Sequence, residues 1–394
     1  MILCDPSVTA NFRDYGIMLP ISRDRGKQVL DFLIKNTPDK FKVFDFLSAQ
    51  SYLELNSEKV LGKLPGKLLK PPLNSIVRLD QDKYLLNRED LERIHSKTFI
   101  EQLYTEGLSA AILDAFELID EQGRPNRYEP ERAVRPLSDL FQVLLTQAGG
   151  TYLACLLALT DNVLRDTPKK SGFCYYLGGG MHHARYDAPS GFCLINDVAA
   201  AAVKIASEKP ARLIWIIDMD AHKGDGTAEL IYFARKRSEL KTPAEEFAQS
   251  ISDNDKPCIL TLSIHMAKGW PLDNENLASA EEGRAPLLPS DVDIGIDSGE
   301  EDEYSSRLMD GIHELEKISG RTPDFVLVVD GADPYEHDGL SSSSLLRLTL
   351  EQCVERDMLV YRYLQDKNIP SAWIQAGGYG GRAWEPAAHF LMNI

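Results

Sequence analysis

The sequence predicts an α/β fold: a single domain built on a central, mostly parallel β-sheet flanked by helices. Three observations predict it. Short apolar runs rich in β-branched or aromatic residues recur at 173–177, 213–217, 325–329 and 372–374, and read as strands buried on both faces. Segments of helical periodicity lie between them, which makes βαβ units. Polar residues follow each run: His182-His183, Asp218-Met-Asp220-Ala-His222, Asp333 and Tyr379. In an open parallel sheet, ligands collect outside the carboxyl ends of strands. Four chain-distant segments therefore deliver imidazoles, carboxylates and a phenol to one edge, the inventory of a metal-dependent hydrolase.

At 22–35, Val29, Leu30, Phe32, Leu33 and Ile34 mark the apolar face of a helix with Ser22 as its N-cap. The proline-rich stretch 64–72 breaks regular structure. Asn87 followed by Asp90 marks a helix start, with Leu91, Ile94, Phe99 and Leu103 along it. Residues 120–131 read as a polar surface loop, and 146–164 as a buried helix. A strand at 173–178 leads through a glycine-rich loop to an Ala-rich helix at 197–207. A strand at 212–218 leads to a helix at 227–237, and the polar segment 238–256 precedes a strand at 258–264. Within the excursion 265–303, the alternation Val292-Asp-Ile294-Gly-Ile296 marks a short edge strand. A helix at 304–318, a strand at 325–330, a helix at 344–367, a strand at 372–376 and a last helix complete the pattern. No internal repeat or low-complexity linker divides the chain, so residues 1–394 read as one domain, its core starting at about 15.

Composition narrows the class. The chain is 43% apolar and 26% charged, ordinary for a globular protein. It lacks an apolar run of about 18 residues, so no membrane-spanning helix is expected. The start, Met1-Ile-Leu-Cys-Asp5-Pro6, lacks the basic and apolar regions of a secretory leader. Six scattered cysteines without a CxxC pair favour a reducing compartment, hence a cytoplasmic location, and argue against a cysteine-built zinc site. Cys155, Cys174 and Cys258 lie within apolar runs, as small core residues do. A net charge of −17 weighs against nucleic acid as a partner. It serves general solubility, or draws in a cationic substrate such as a lysine-bearing peptide or a polyamine.

The loops carry the chemistry. Positions 218, 220 and 222 of an extended segment point to one side, and a carboxylate and an imidazole two residues apart can chelate one cation. Asp333 follows another strand and supplies a third ligand. Two carboxylates and one imidazole suit Zn²⁺ with a position left open, and Fe²⁺, Co²⁺ or Mn²⁺ accept the same set. In Gly178-Gly-Gly180-Met-His182-His183 the histidines are either ligands themselves or an acid/base pair. Asp225 offers a carboxylate that raises a histidine's basicity. Tyr379, on a glycine hinge, can lend its O–H to a developing oxyanion. Gly191-Phe192-Cys193 alone reads as core.

The segments GGGMHHARYDAPSGFCLIND, IDMDAHKGDG, VVDGADPYEHDGL and AGGYGGR, in this order and spacing, resemble the histone deacetylase family of the arginase/deacetylase fold, from about Tyr15 to the end of the chain. Arg135-Pro136, Thr146-Gln-Ala-Gly-Gly-Thr151, Val292-Asp-Ile294, Gly299-Glu-Glu-Asp-Glu-Tyr304 and the shortened Gly-Gly-Tyr379 motif resemble its class IV subgroup. The resemblance implies a catalytic zinc on Asp220, His222 and Asp333. It implies tandem histidines His182 and His183 backed by Asp218 and Asp225, and Tyr379 facing the metal across the substrate carbonyl. Gly191, Phe192 and Trp270 would line a channel for a lysine stem. Asp218, Asp220 and Ser263, with nearby carbonyls, would hold a structural K⁺. Lys223 stands where many members have a second histidine, outside the ligand set. The acidic rim residue that grips substrate backbone in several members has no counterpart in 127–136.

The implied reaction is hydrolysis of an acyl group, acetyl or longer fatty acyl, from a lysine side chain, with an acetylpolyamine as the alternative substrate. Two rivals stay open. An arginase-like ureohydrolase would use two Mn²⁺, although Asp225 falls one place late for its Asp-x-His-x-Asp pattern. A non-catalytic acyl-lysine-binding scaffold would keep the fold without the reaction.

Overall fold

The computed structural model describes residues 1–63, 86–164, 171–208, 211–247, 256–273 and 287–394. The proline-rich stretch 64–72 lies outside them. One eight-stranded sheet runs through the described residues: β1 (Ile2–Leu3), β2 (Val43–Phe44), β3 (Phe173–Tyr176), β4 (Leu213–Asp218), β5 (Cys258–Met266), β6 (Val292–Ile296), β7 (Phe325–Asp330) and β8 (Ser371–Gln375). The order across the sheet is β2-β1-β3-β8-β7-β4-β5-β6, and every pairing is parallel. The six strands read from sequence are present, with β6 at an edge as its alternation predicts. β1 and β2 went unread because two residues carry no periodicity. They tie the start of the chain to the sheet, and the Met1 amine donates to Phe173 O at 3.0 Å.

The two faces divide the core with a period of two, the alternation a strand imposes. Ile214, Ile216, Phe325, Leu327, Val329, Ala372 and Ile374 pack on one side, under the helices Asp139–Leu164 and Asp197–Glu208. Leu213, Trp215, Ile217, Val326, Val328 and Trp373 pack on the other, against Tyr304–Ser319, Leu350–Asp366 and Glu385–Asn393. All six cysteines are buried and unpaired.

Several boundaries differ from the sequence reading. The first helix is Arg25–Asn36, and Asp24, not Ser22, holds its N-cap position without a side-chain bond. The capping box of Asn87 and Asp90 forms, but its helix stops at Glu92 and a second one, capped by Ser96, covers Lys97–Leu103. The buried helix starts at Asp139 rather than 146. By length and composition alone it could cross a bilayer, but most of that window is buried inside the fold, as in the core helix of a folded domain, so a membrane span is not supported. The helix expected from 344 begins at Leu350, where Thr349 and Gln352 form a capping box, and a separate 3₁₀ turn covers Ser341–Ser343.

One feature of the order matters most for function. β3, β8, β7 and β4 are consecutive neighbours, so the loops bearing His182-His183, Tyr379, Asp333 and Asp218–His222 leave the sheet side by side.

Candidate active site

The loop after β3 is held from behind. The Asp197 carboxylate accepts from the backbone of Gly180 (3.0 Å) and Met181 (2.6 Å) and from the Thr151 hydroxyl. The Asn196 amide donates to the carbonyls of His182 (3.0 Å) and Ala184 (3.3 Å). Neither role is legible in the sequence. Most of their partners are backbone atoms, which leave no side-chain pattern to read.

So anchored, the tandem histidines each meet a carboxylate. His182 Nδ1 lies 2.7 Å from Asp218 Oδ2, and His183 Nδ1 lies 2.7 Å from Asp225 Oδ1. Nδ1–H donates to the carboxylate in each case, which leaves Nε2 free for chemistry. Asp225 opens the helix Asp225–Lys236, two residues earlier than its periodicity placed it. The two rings are 3.8 Å apart between centroids, yet their basicities diverge. At His182 burial opposes charge, but the carboxylates of Asp218 and Asp220 outweigh it and push the ring up to about 9. At His183 burial and the neighbouring His182 outweigh Asp225, and the ring is pushed down to about 4.

Asp220, His222 and Asp333 come together, all buried, with donor atoms within 4.8 Å of one another. His222 Nδ1 lies 2.9 Å from Asp333 Oδ2 and 3.2 Å from Asp220 Oδ1. The expected single face of residues 218, 220 and 222 is not what gathers them. β4 ends at Asp218, which turns to His182, while Asp220 and His222 turn toward Asp333. Backbone amides fix both carboxylates: Gly377 N donates to Asp220 (2.9 Å) and Ala221 N to Asp333 (2.9 Å). A side chain on Gly377 would sit 2.3 Å from Asp220 Oδ2, so only glycine allows this approach.

Two desolvated carboxylates this close require positive charge between them. Burial and Asp220 push Asp333 up to about 6, while at His222 the two carboxylates outweigh burial and push the ring up to about 10. Two carboxylate oxygens and one imidazole nitrogen fit a divalent ion with an open coordination position. His182, His183 and Asp220 form a second donor triple of the same compactness.

The walls are aromatic. The Trp270 ring stands edge-on to His183 (centroids 4.6 Å) and His222 (5.7 Å), and Phe192 stands edge-on to Tyr379 (6.2 Å). Gly191 and Phe192 both adopt left-handed backbone, at φ +53° and +64°. An added Cβ on Gly191 would lie 2.3 Å from the Trp270 ring and 2.7 Å from His183. A left-handed bulky residue is a genuine outlier, and here it sets an aromatic wall beside the site. Burial and the nearby Asp333 and Asp220 raise the Tyr379 phenol above its ordinary range, so it stays protonated and can donate.

Arg25 also reaches the site, a contribution the sequence analysis did not foresee. Its guanidinium donates to the carbonyls of Gln375 (3.1 Å), Gly377 (3.0 Å) and Gly378 (3.1 Å), bracing the loop that carries Tyr379. A cavity of about 240 Å³ is lined by His182, His183, Phe192, Asp220, His222 and Tyr379, and extends to Arg25, Leu144 and Tyr176. The Arg127 guanidinium lies 5.6 Å over the Phe192 ring and 3.5 Å from Glu117. Lys223 is buried and pairs with Asp293 on β6. Asp218 and Ser263 are register neighbours on β4 and β5, and Ser263 Oγ accepts from Gly224 N at 3.2 Å.

Comparison with known proteins agrees with this geometry. The sequence profile of the histone deacetylase domain matches residues 65–393. Histone deacetylase 2 of Arabidopsis thaliana is 23% identical over 77% of this chain and 64% of its own length. The acetoin utilization protein AcuC of Staphylococcus aureus is 30% identical over 53% of this chain and 46% of its own length. An uncharacterized protein of Picosynechococcus is 28% identical over 60% of this chain and 63% of its own length. The matched region thus spans about half to two thirds of these curated relatives. A domain match over most of the chain, on a parallel sheet that brings the expected loops to one edge, places this protein in the histone deacetylase family.

Proposed function

We propose that this chain is a divalent-metal amidohydrolase that removes acyl groups from lysine side chains. The observation that carries the reading is the convergence of Asp220, His222 and Asp333 beside two histidines of opposite basicity. Asp220, His222 and Asp333 would hold the ion, with zinc the best fit and Fe²⁺ or Co²⁺ acceptable. When bound, it supplies Lewis acidity to the acyl carbonyl and lowers the pKa of water. His183, neutral, takes the proton from the attacking water at Nε2, and Asp225 holds the ring in that orientation. His182, cationic between Asp218 and Asp220, favours the negative charge that builds on the carbonyl oxygen. Tyr379 donates its O–H to that oxygen. The new C–O bond forms, the C–N bond breaks, and the proton held on His183 passes to the leaving lysine amine.

The aromatic walls favour an uncharged acyl-lysine stem over the free ammonium. The extension of the cavity to Arg25, Leu144 and Tyr176 supports acyl chains longer than acetyl. A K⁺ near Asp218, Asp220 and Ser263 and a cytoplasmic location belong to the same proposal. The binuclear ureohydrolase reading rests on the second donor triple. Against it, Asp225 falls one place late for the ureohydrolase pattern, and its Oδ1 lies 2.7 Å from His183 Nδ1.

The test is a panel of acyl-lysine peptides of graded chain length plus an acetylpolyamine, assayed with and without chelator, alongside metal counting. Turnover of acyl-lysine that chelation abolishes and zinc restores, with one ion per chain, is expected. Asp220→Ala should remove both ion and turnover. Hydrolysis that survives full metal removal, or inertness toward the whole panel, would sink the proposal.

A further inference from the structure

The short segment from Asp338 to Ser343 touches both halves of the site. At one end the Asp338 carboxylate accepts from the backbone N–H of Tyr379 at 2.6 Å. Its other oxygen accepts from Leu340 N (2.8 Å) and the Ser343 hydroxyl (3.0 Å), which closes the segment on itself. Gly339 N donates to Tyr379 O at 3.0 Å, so the two chains are bonded in both directions at this residue. A Cβ on Gly339 would stand 3.3 Å from the Gly380 backbone, tighter than an ordinary contact, so the two loops lie close together. At the other end, in the turn Ser341–Ser343, the Ser342 hydroxyl lies 3.2 Å from His222 Nε2. Nδ1 of that ring faces Asp220 and Asp333.

We infer that Asp338 and Ser342 are positioning residues: Ser342 fixes the His222 ring with Nδ1 toward the metal, and Asp338 fixes the backbone that aims Tyr379. The inference deepens the amidohydrolase reading above and rests on it. A histidine that ligates through one nitrogen needs a partner for the other, because that bond sets both tautomer and ring orientation. Ser342 accepts the Nε2–H and leaves the Nδ1 lone pair for the ion. Tyr379 stands on a glycine-flanked loop, Gly377-Gly378-Tyr379-Gly380-Gly381, that has little stiffness of its own. Its aim is supplied from outside, by Arg25 on the carbonyls and Asp338 on the amide. One short segment, Asp338–Ser343, thereby carries both contacts, one to the His222 ring and one to the Tyr379 backbone.

Two variants separate the roles. Ser342→Ala should weaken zinc retention against a competing chelator by about 10–100-fold, the range seen when a ligating histidine loses its outer partner. Ser342→Thr, which keeps the hydroxyl, should restore it. This readout needs no turnover, so it stands even if the acyl-lysine assay fails. Asp338→Asn should leave zinc retention at the wild-type value and lower kcat about tenfold or more with little change in KM. Added to Tyr379→Phe, it should cost nothing further, because its effect passes through the phenol. With 3-fluorotyrosine incorporated, Asp338→Asn should also shift the ¹⁹F resonance assigned to Tyr379 by its loss in Tyr379→Phe. Unchanged zinc retention in Ser342→Ala overturns the first role. An unmoved Tyr379 resonance, or a full additional loss in the double variant, overturns the second. An inactive wild type that still shows both signatures overturns the amidohydrolase reading and leaves the positioning intact.

Discussion

His182 and His183 are adjacent in the chain and nearly in ring contact, yet one is pushed up to about 9 and the other down to about 4. Residue type cannot explain the difference. His182 faces two carboxylates, Asp218 at 2.7 Å and Asp220 at 3.7 Å, whereas His183 faces one and also feels the charge on its neighbour. A general base must be unprotonated, so His183 is competent at every pH above about 4. His182 stays cationic until the pH rises through about 9. The acid limb of kcat/KM should therefore fall below the ordinary histidine value of about 6.5. Replacing Asp225 by Asn removes a group that raises His183 and should move the acid limb lower still. A pH–rate profile of the metal-loaded enzyme checks both; an acid limb at or above about 6.5 would assign the base elsewhere.

At the scale of elements, the site depends on how loops leave adjacent strands. The turn at Gly191-Phe192 shows how little slack exists. Gly191→Ala places a methyl group against Trp270 and His183 in a backbone conformation that favours glycine. The aromatic wall and the base must then shift together, and misplacement by about 1 Å can cost on the order of 100-fold. We expect kcat/KM to fall by that order with zinc still bound. Steady-state kinetics beside metal analysis checks this, and unchanged kinetics would remove Gly191 from the channel. The Lys223–Asp293 pair acts on the same scale. It ties the segment between His222 and Asp225 to the edge strand β6, a use for Lys223 that its position in the motif did not reveal.

The whole molecule supports these loops through one buried charge cluster. Arg356, fully buried on the helix Leu350–Asp366, donates to Asp330 (2.6 Å), Asp357 (2.7 Å) and the carbonyls of Met219 (3.0 Å) and Gly331 (3.1 Å). Tyr175 on β3 donates to the other oxygen of Asp330 at 2.6 Å. The cluster thus clamps the ends of β4 and β7, where Asp220 and Asp333 begin their loops. Arg356→Met keeps the bulk and leaves Asp330 and Asp357, both pushed up by burial, without the cation that offsets it, which costs about 3–5 kcal/mol. Denaturant unfolding should show that loss, together with weaker metal retention. A variant of wild-type stability would mean that Asp330 and Asp357 are neutral in the fold.

How much of this was legible in sequence depends on what each part rests on. The central strands, the helices between them and the polar clusters at their ends could be read because periodicity and composition are local properties. Arg356, Arg25, Asn196, Asp197, Asp338 and Ser342 could not, since each acts on a group far away in the chain or on backbone atoms. The two-residue strands β1 and β2 were invisible for a related reason: only their neighbours make them strands. By itself, the sequence determined the fold class, the family and the inventory of imidazoles, carboxylates and phenol that the loops carry to one sheet edge. Tertiary structure alone decided which histidine carries charge, which carboxylate faces which ring, and what holds the Tyr379 loop. Charge and aim depend on distance and burial, and neither exists until the chain has folded.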